Sequence, residues 1–342
     1  MTIDPAPYDR LIAARRTPEA VAWARDHLAD GADPLDVLGA VAAVQRLVGE
    51  RWASGAWSVA EEHAATSVAL ATVEAVDAHV GSLPQERGQV VLACAEREWH
   101  AVPALMVAAA LRSRGWRVSV LGTSPSVGRF SATLQDTGPD AAAVSCSVLA
   151  GLPAARRFIE AARAQGIPVV VGGAAFGSDA TRAMALGASA WAADALRAVE
   201  AVAGLPTVVA PAEPLDDAAD SERAALERGA DRLLEQILGA WAAADSRRGA
   251  GDGRMGESDA RRVLALDGVP VAEDLVQQTL NAVIASLLTG EPSPLHETVA
   301  WVTALLAARG ASLEHLQQLG DLVRTELRDF PLAQELVREH WV

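Results

Sequence analysis

Cysteine is nearly absent from this 342-residue chain: Cys94 and Cys146 are the only two, each inside a segment that reads as a buried strand. So few exclude a secreted disulfide scaffold and a cysteine-based zinc site. Basic charge is also short. The net charge is −15 with a pI near 4.9, and the arginine pairs Arg15-Arg16, Arg156-Arg157 and Arg247-Arg248 each have acids nearby. Affinity for nucleic acid comes largely from cations that neutralise phosphates, so this balance leaves no DNA-binding module. No apolar run reaches the roughly 18–20 residues of a membrane span. The opening MTIDPAPYDRLIAARR lacks the apolar segment of a signal peptide, and the chain is expected in the cytoplasm. Enzyme signatures are missing as well. There is no Gly-x-Ser-x-Gly, no P-loop, no His-Glu-x-x-His, and no Gly-x-Gly-x-x-Gly after the first strand. No catalytic residue is expected. Tryptophan can cover a flat ligand, but nine Trp against one Tyr and four Phe assign no role by count alone.

What is present is a well-packed globular composition, 51% hydrophobic and 21% charged, with a length that predicts two or three domains. Residues 1–84 read as a helical bundle of about four helices. Pro18 and Pro34 follow the expected N-caps Thr17 and Asp33, where a first turn tolerates proline. The run PLDVLGAVAAVQRLVGERWASG sets Leu35, Leu38, Val41, Ala42, Gln45 and Val48 at helical spacing, and Gly55 breaks the pattern. Ser58 and Glu61 then form a capping-box pair for the next helix.

Residues 88–205 change period. Strands such as GQVVLACA, WRVSVLG and IPVVVGG alternate with helices such as PALMVAAALRSRG and ARRFIEAARAQG. That alternation predicts a Rossmann-like, doubly wound parallel sheet, whose ligands bind at the carboxyl ends of the strands. Residues 206–220, rich in Pro and Asp, are the expected linker, and residues 221–342 return to helical period as a third, all-α domain. The fold class is therefore multidomain α and α/β.

The stretch EREWHAVPALM, residues 96–106, falls where the first strand hands over to a helix. Pro103 suits the first helical turn. His100 thus sits in a loop at the ligand crevice, and Glu98 is placed to accept its second ring N–H and fix the tautomer, as metal-binding histidines require. A histidine buried in the core is the alternative.

These residues resemble the cobalamin (B12)-binding Rossmann-like domains, whose motif runs Asp-x-His-x-x-Gly, then Ser-x-Leu, then Gly-Gly. Here the sequence gives Glu98-Trp99-His100-Ala101-Val102-Pro103, then Ser145-Cys146-Ser147, then Gly172-Gly173. A second frame, Ser147-Val148-Leu149, matches the letters of Ser-x-Leu at a shifted spacing. Glu stands for Asp, and Pro103 for the glycine. The resemblance implies that His100 is the lower cobalt ligand in place of the cofactor's own base. It also implies that the displaced tail runs past the serine segment and the glycines, where only small side chains fit.

In the bundle, WASGAWSVAEEH carries Trp52, then Glu62-His63, a Trp-x9-Glu-His pattern similar to that of the light-responsive B12 proteins, the carotenogenesis repressors and antirepressors. The resemblance implies a Trp52 lid over an adenosyl group, with Glu62 and His63 alongside. Trp57 is the alternative lid. The repressors place a cobalt-binding histidine right after the tryptophan. Here Ala53 stands there, so His63 is the candidate upper ligand after photolysis. The function implied is an adenosylcobalamin-dependent light sensor. The alternatives are a corrinoid carrier of a methyltransferase system and a light-independent B12 regulator.

The C-terminal helical domain resembles, in size and domain order, the globin-like domains that in photocobilins hold biliverdin beside a B12 module. His296, Trp301 and His315 lie on its helices, and Arg247, Arg248, Arg254, Arg261 and Arg262 flank a Gly-rich insert, where they suit the propionates of a linear tetrapyrrole. No cysteine follows Cys146, so a thioether-linked bilin is excluded there. Haem on one of these histidines is a further option, as are solvated surface residues. The partners implied are cobalamin, a bilin and a protein partner, a second copy of the chain included, with no nucleic acid and no membrane.

Overall fold

The structure, a computed structural model, describes residues 3–251, 265–266, 269–270, 272–308 and 313–341. The chain divides into two compact units, Met1–Glu213 and Pro214–Val342.

The first unit opens with four helices, α1 (Ala6–Ala13), α2 (Thr17–Ala29), α3 (Pro34–Ala53) and α4 (Val59–Val80). Asp33 caps α3 by accepting the Leu35 N–H at 2.9 Å. Thr17, expected as the cap of α2, is instead its first residue, and Arg16 stands before it with no side-chain cap. Boundaries of this kind shift by a residue when Pro occupies the first turn, because the missing N–H needs no cap. Gly55, at φ +75°, turns the chain after α3. The capping box then starts α4: Glu61 accepts the Ser58 N–H at 2.9 Å, and Ser58 Oγ accepts the Glu61 N–H at 3.3 Å. Helix α4 buries Ala65, Val68, Ala69, Thr72, Val73 and Val76, which makes it the central helix of the bundle.

Five parallel strands follow: β1 (Gly88–Cys94), β2 (Trp116–Val120), β3 (Ala141–Ser145), β4 (Val169–Gly172) and β5 (Ala190–Ala192), in the order β2-β1-β3-β4-β5. The order reverses between β1 and β3, which are paired from Val90↔Ala141 to Cys94↔Ser145. Ligands of such sheets bind beyond the carboxyl ends at this switch point. Alternate residues divide the sheet by face. Leu92, Ala143 and Val170 face α5 (Ala101–Ser113) and α9 (Ala195–Ala203) and join one hydrophobic core with the bundle. On the opposite face lie α6 (Val127–Thr137) and α7 (Leu152–Arg163), whose Phe130 and Phe158 rings stack at 4.7 Å.

Segments 1–84 and 88–205 thus lie within one unit and share a core. Val68, Val73 and Val76 of α4 cluster with Val102, Met106 and Leu111 of α5. Two ion pairs flank that core: Arg112 with Asp77 at 2.5 Å, and Arg114 with Asp33 at 2.6 Å. Arg112 also donates to the Val118 carbonyl at 2.8 Å, tying the bundle to β2.

The second unit is helical, with Asp217–Gly251, Ala272–Thr289, Ser293–Ala308, Leu313–Glu326 and Pro331–His340, and a short antiparallel pair, Ala265–Leu266 with Val269–Pro270. Its core includes Leu233, Ile237, Trp241, Val283 and Leu319. Within the expected linker, the unit boundary falls after Glu213 and the long helix already starts at Asp217. Among the described residues no helix is long and apolar enough to cross a membrane.

Candidate functional site

Beyond β1 the chain turns at Arg97, whose φ of 68° is left-handed, and the Arg97 N–H is held by Ser124 Oγ at 2.9 Å. This turn drives Glu98 inward to full burial and leaves the next residue, Trp99, 71% exposed. A buried carboxylate is costly unless every lone pair is used. Glu98 uses them. Oε1 accepts the His100 backbone N–H at 2.8 Å and ring Nδ1 at 2.5 Å. Oε2 accepts the N–H groups of Ser147 and Val148, across the switch point on the loop after β3.

Burial pushes the Glu98 carboxyl up, but the bonds from the His100 ring, the His100 N–H and the Ser147 N–H together hold it below the usual carboxylate range. The bond to Glu98 raises His100 above the ordinary imidazole value, burial opposes this, and the charges of Glu98 and then Glu62 add to the rise. With Nδ1–H committed to Glu98, Nε2 carries the lone pair that a metal can take. The ring itself is 59% exposed.

His100 lines a cavity of about 730 Å³. The cavity runs from the bundle, at Ala42, Gln45, Arg46, Glu62, His63 and Thr66, down the α5/α9 face of the sheet at Leu92, Ala143 and Val170. Trp99, Val102, Pro103, Ser145 and Ser147 border it, with Gly172 and Gly173 at its end. At both positions neighbouring backbone comes too close for a side chain. A Cβ on Gly172 would stand 2.7 Å from the Ala192 carbonyl oxygen, and one on Gly173, at φ +107°, would strike the backbone of Cys146. Glu98 sits behind His100 rather than in the wall.

Two expected residues lie elsewhere. Leu149 belongs to a short 3₁₀ turn, Leu149–Gly151, off the cavity lining. Trp52 continues the helical stripe of Ala42 and Gln45, but two turns further along α3, about 10 Å on, and it does not line the cavity. Trp57 is held away from it. Its N–H bonds the Arg51 carbonyl at 3.0 Å, and its ring lies 4.9 Å below the Arg51 guanidinium, which in turn pairs with Asp9 at 2.7 Å. Glu62 and His63 do line the upper wall, where Thr66 Oγ1 donates to Glu62 Oε1 at 2.7 Å and His63 Nε2 lies 3.5 Å from Glu62 Oε2. Gln45, Arg46 and Thr66 were missed as site residues. The available signal was Gln45 itself, a polar residue on an otherwise apolar helical stripe.

In the second unit, His296 Nε2 and His340 Nδ1 are 3.1 Å apart beside a cavity of about 520 Å³ that Val299, Thr303 and Glu339 also line. Trp301 is half-buried and, like His315, lies outside that lining. Arg254, Arg261 and Arg262 and the side chains of Arg247 and Arg248 lie outside the described residues. Among the described residues no group of three or more His, Cys, Asp or Glu could hold a metal ion.

The residues of the first unit fit a corrinoid: an imidazole with Nε2 available, above an apolar channel that ends on two glycines. Residues 8–76 and 88–200 each match a family model described as a B12 binding domain. The chain therefore carries a pair of B12-binding family domains, and cobalamin is the cofactor they indicate. Among solved structures, the Methanosarcina barkeri monomethylamine corrinoid protein is similar over 57% of this chain and 94% of its own, at 15% identity and a TM-score of 0.50. The likeness shows a shared fold. The methanol:cobalamin methyltransferase complex of Methanosarcina barkeri matches at 22% identity, TM-score 0.32, over 59% of this chain and 80% of that one. A cobalamin-binding protein from Desulfitobacterium hafniense matches at 20% identity, TM-score 0.33, over 58% and 97%. No curated protein matches the chain in sequence.

Proposed function

We propose that this chain holds adenosylcobalamin with its own base displaced and His100 Nε2 as the lower cobalt ligand, and that it serves as a light sensor without catalytic residues of its own. The observation that carries the reading is the Glu98–His100 pair at the mouth of the cavity, which presents one imidazole nitrogen and fixes the other. A bound cobalamin supplies a light-sensitive cobalt–carbon bond. The chain's residues do the rest. Glu98 holds the imidazole, Gly172 and Gly173 leave room for the tail, and Glu62, His63 and Thr66 form a polar upper wall. His63, 75% exposed, is the imidazole of the upper wall that would hold the cobalt once light had broken the cobalt–carbon bond. The sensor reading draws on the Trp-x9-Glu-His resemblance. By domain order, the second unit is the place for biliverdin, held without a thioether, or for a protein partner.

The fold likeness to the monomethylamine corrinoid protein favours one second reading, a corrinoid carrier in a methyltransferase system. Reconstitution in the dark with adenosylcobalamin, with and without biliverdin, followed by green and red light, separates them. A sensor changes its absorption spectrum on illumination and then stays in a distinct state. An unchanged spectrum sinks the sensor reading and leaves the carrier. The His100→Ala variant loses the histidine-ligated spectrum; an unaltered spectrum removes His100 as ligand.

A further inference from the structure

Among the described residues, Gln45 is the one member of the cavity wall whose side-chain nitrogen is shut off from solvent with no hydrogen-bond partner. It stands on α3 between the buried core residues Val44 and Val48, on the side that meets the cavity. Glu62, also in the wall, is partnered within its own helix. Glu62 Oε1 accepts from Thr66 at 2.7 Å, and Glu62 Oε2 lies toward His63. A shielded amide without a partner is less favourable than a leucine of similar shape in the same place. Such a group in a cavity wall fits a role that only a ligand completes. Its side chain borders the cavity, so a turn about its last torsions is the movement that would bring the amide to a ligand there. Arg46, exposed and without an ion-pair partner among the described residues, adds a second donor to the same stretch of wall.

We propose that Gln45 is a ligand-contacting residue that donates a hydrogen bond to the upper side of the bound corrinoid. The inference rests on reading the cavity as the corrinoid site. The acceptor is neutral: an amide carbonyl of the ring, or a hydroxyl or ring nitrogen of an upper nucleoside. A residue kept for this purpose has an unusual signature: its removal weakens binding while leaving the empty protein as stable as before, or more so.

The test compares the wild-type full chain with Gln45→Leu, using titration in the dark with adenosylcobalamin and with methylcobalamin and thermal melting of the empty protein. Adenosylcobalamin binding by the variant falls about five- to tenfold, the yield of one neutral hydrogen bond. The melting temperature of the empty protein holds or rises, and the histidine-ligated spectrum persists. An equal loss with methylcobalamin assigns the ring amides, and a loss confined to adenosylcobalamin assigns the nucleoside. Wild-type affinity for both overturns the inference, and so does a parallel fall in affinity and melting temperature, which marks a structural residue. If Gln45→Leu does not fold, Gln45→Met, unbranched like glutamine, gives the same readout. A wild-type chain that binds neither corrinoid overturns the cavity reading itself, a different result from intact binding that ignores position 45.

Discussion

Glu98 is wholly buried, yet the His100 ring it holds at 2.5 Å stands more than half in solvent. The carboxylate is the anchor of the pair, and its other oxygen is bound by the backbone of Ser147 and Val148. One side chain thus sets both the ring and the spacing of the two loops at the switch point.

Glu98→Ala frees the ring and leaves the part-buried N–H groups of His100, Ser147 and Val148 without this acceptor. Cobalamin affinity then falls about ten- to a hundredfold, the usual yield of a supporting partner of a metal ligand. Folding stability drops by about 1–3 kcal/mol, since these part-buried donors lose their partner. Glu98→Gln, which keeps one acceptor oxygen, lies between. Spectral titration and urea denaturation read the two effects, and wild-type values for Glu98→Ala refute the anchoring role.

The pair also gives the empty protein a pH signature. The Glu98 carboxyl is depressed, so its contribution is present above its ordinary 4.5 and fades as pH falls through the lowered value. The His100 imidazole is raised, so its contribution is complete below its ordinary 6.5 and fades as pH rises through the elevated value. The stability gap between wild type and His100→Ala is widest between these two ordinary values and narrows on either side. Denaturation midpoints across pH measure it; a gap that widens steadily with pH is incompatible with the pairing.

Two glycines with positive φ make a controlled comparison. Gly122, at φ +81°, has open space where a Cβ would stand, and Gly173, at φ +107°, does not, because a Cβ there would strike Cys146. Gly122→Ala costs roughly 1–2 kcal/mol for backbone strain alone. Gly173→Ala adds the clash and costs roughly 2–5 kcal/mol. Equal losses in denaturation would argue against the close approach of the Cys146 backbone to Gly173.

Both thiols are buried. Burial, with a smaller push from the Glu98 charge, drives Cys94 up to about 12, and the same two causes raise Cys146 further. A thiol reagent therefore labels the native protein at least about a hundredfold more slowly than the unfolded chain, because the thiolate is the reactive form. Fast native labelling places a thiolate where the fold has none.

Periodicity made the parallel sheet and the bundle legible, since residues such as Leu92 and Val170 alternate and α4 repeats its valines at helical spacing. The Glu98–His100 relation was also legible, being two residues long and placed at a strand end. The second half of that relation was not, because Ser147 and Val148 come to Glu98 only through the pairing of β1 with β3. Spacing favoured Trp52 over Trp57 as the lid, but neither lines the cavity. The placement of Trp57 depends on Arg51, which Asp9 of α1 holds over the Trp57 ring, a contact between residues far apart in the sequence. Gln45 was visible as a polar residue on an apolar stripe, but its missing partner is a property of packing.

Helix α5 is packed against the sheet on one side and against α4 on the other, through a single hydrophobic core. The cavity follows that seam, so the bundle cannot swing away from the sheet without exposing Val68, Val73, Met106 and Leu111 together. Any route out of the cavity that parts the bundle from the sheet therefore costs folding free energy and is slow. By that route the folding core itself takes part in holding what is bound, alongside the contacts the bound molecule makes.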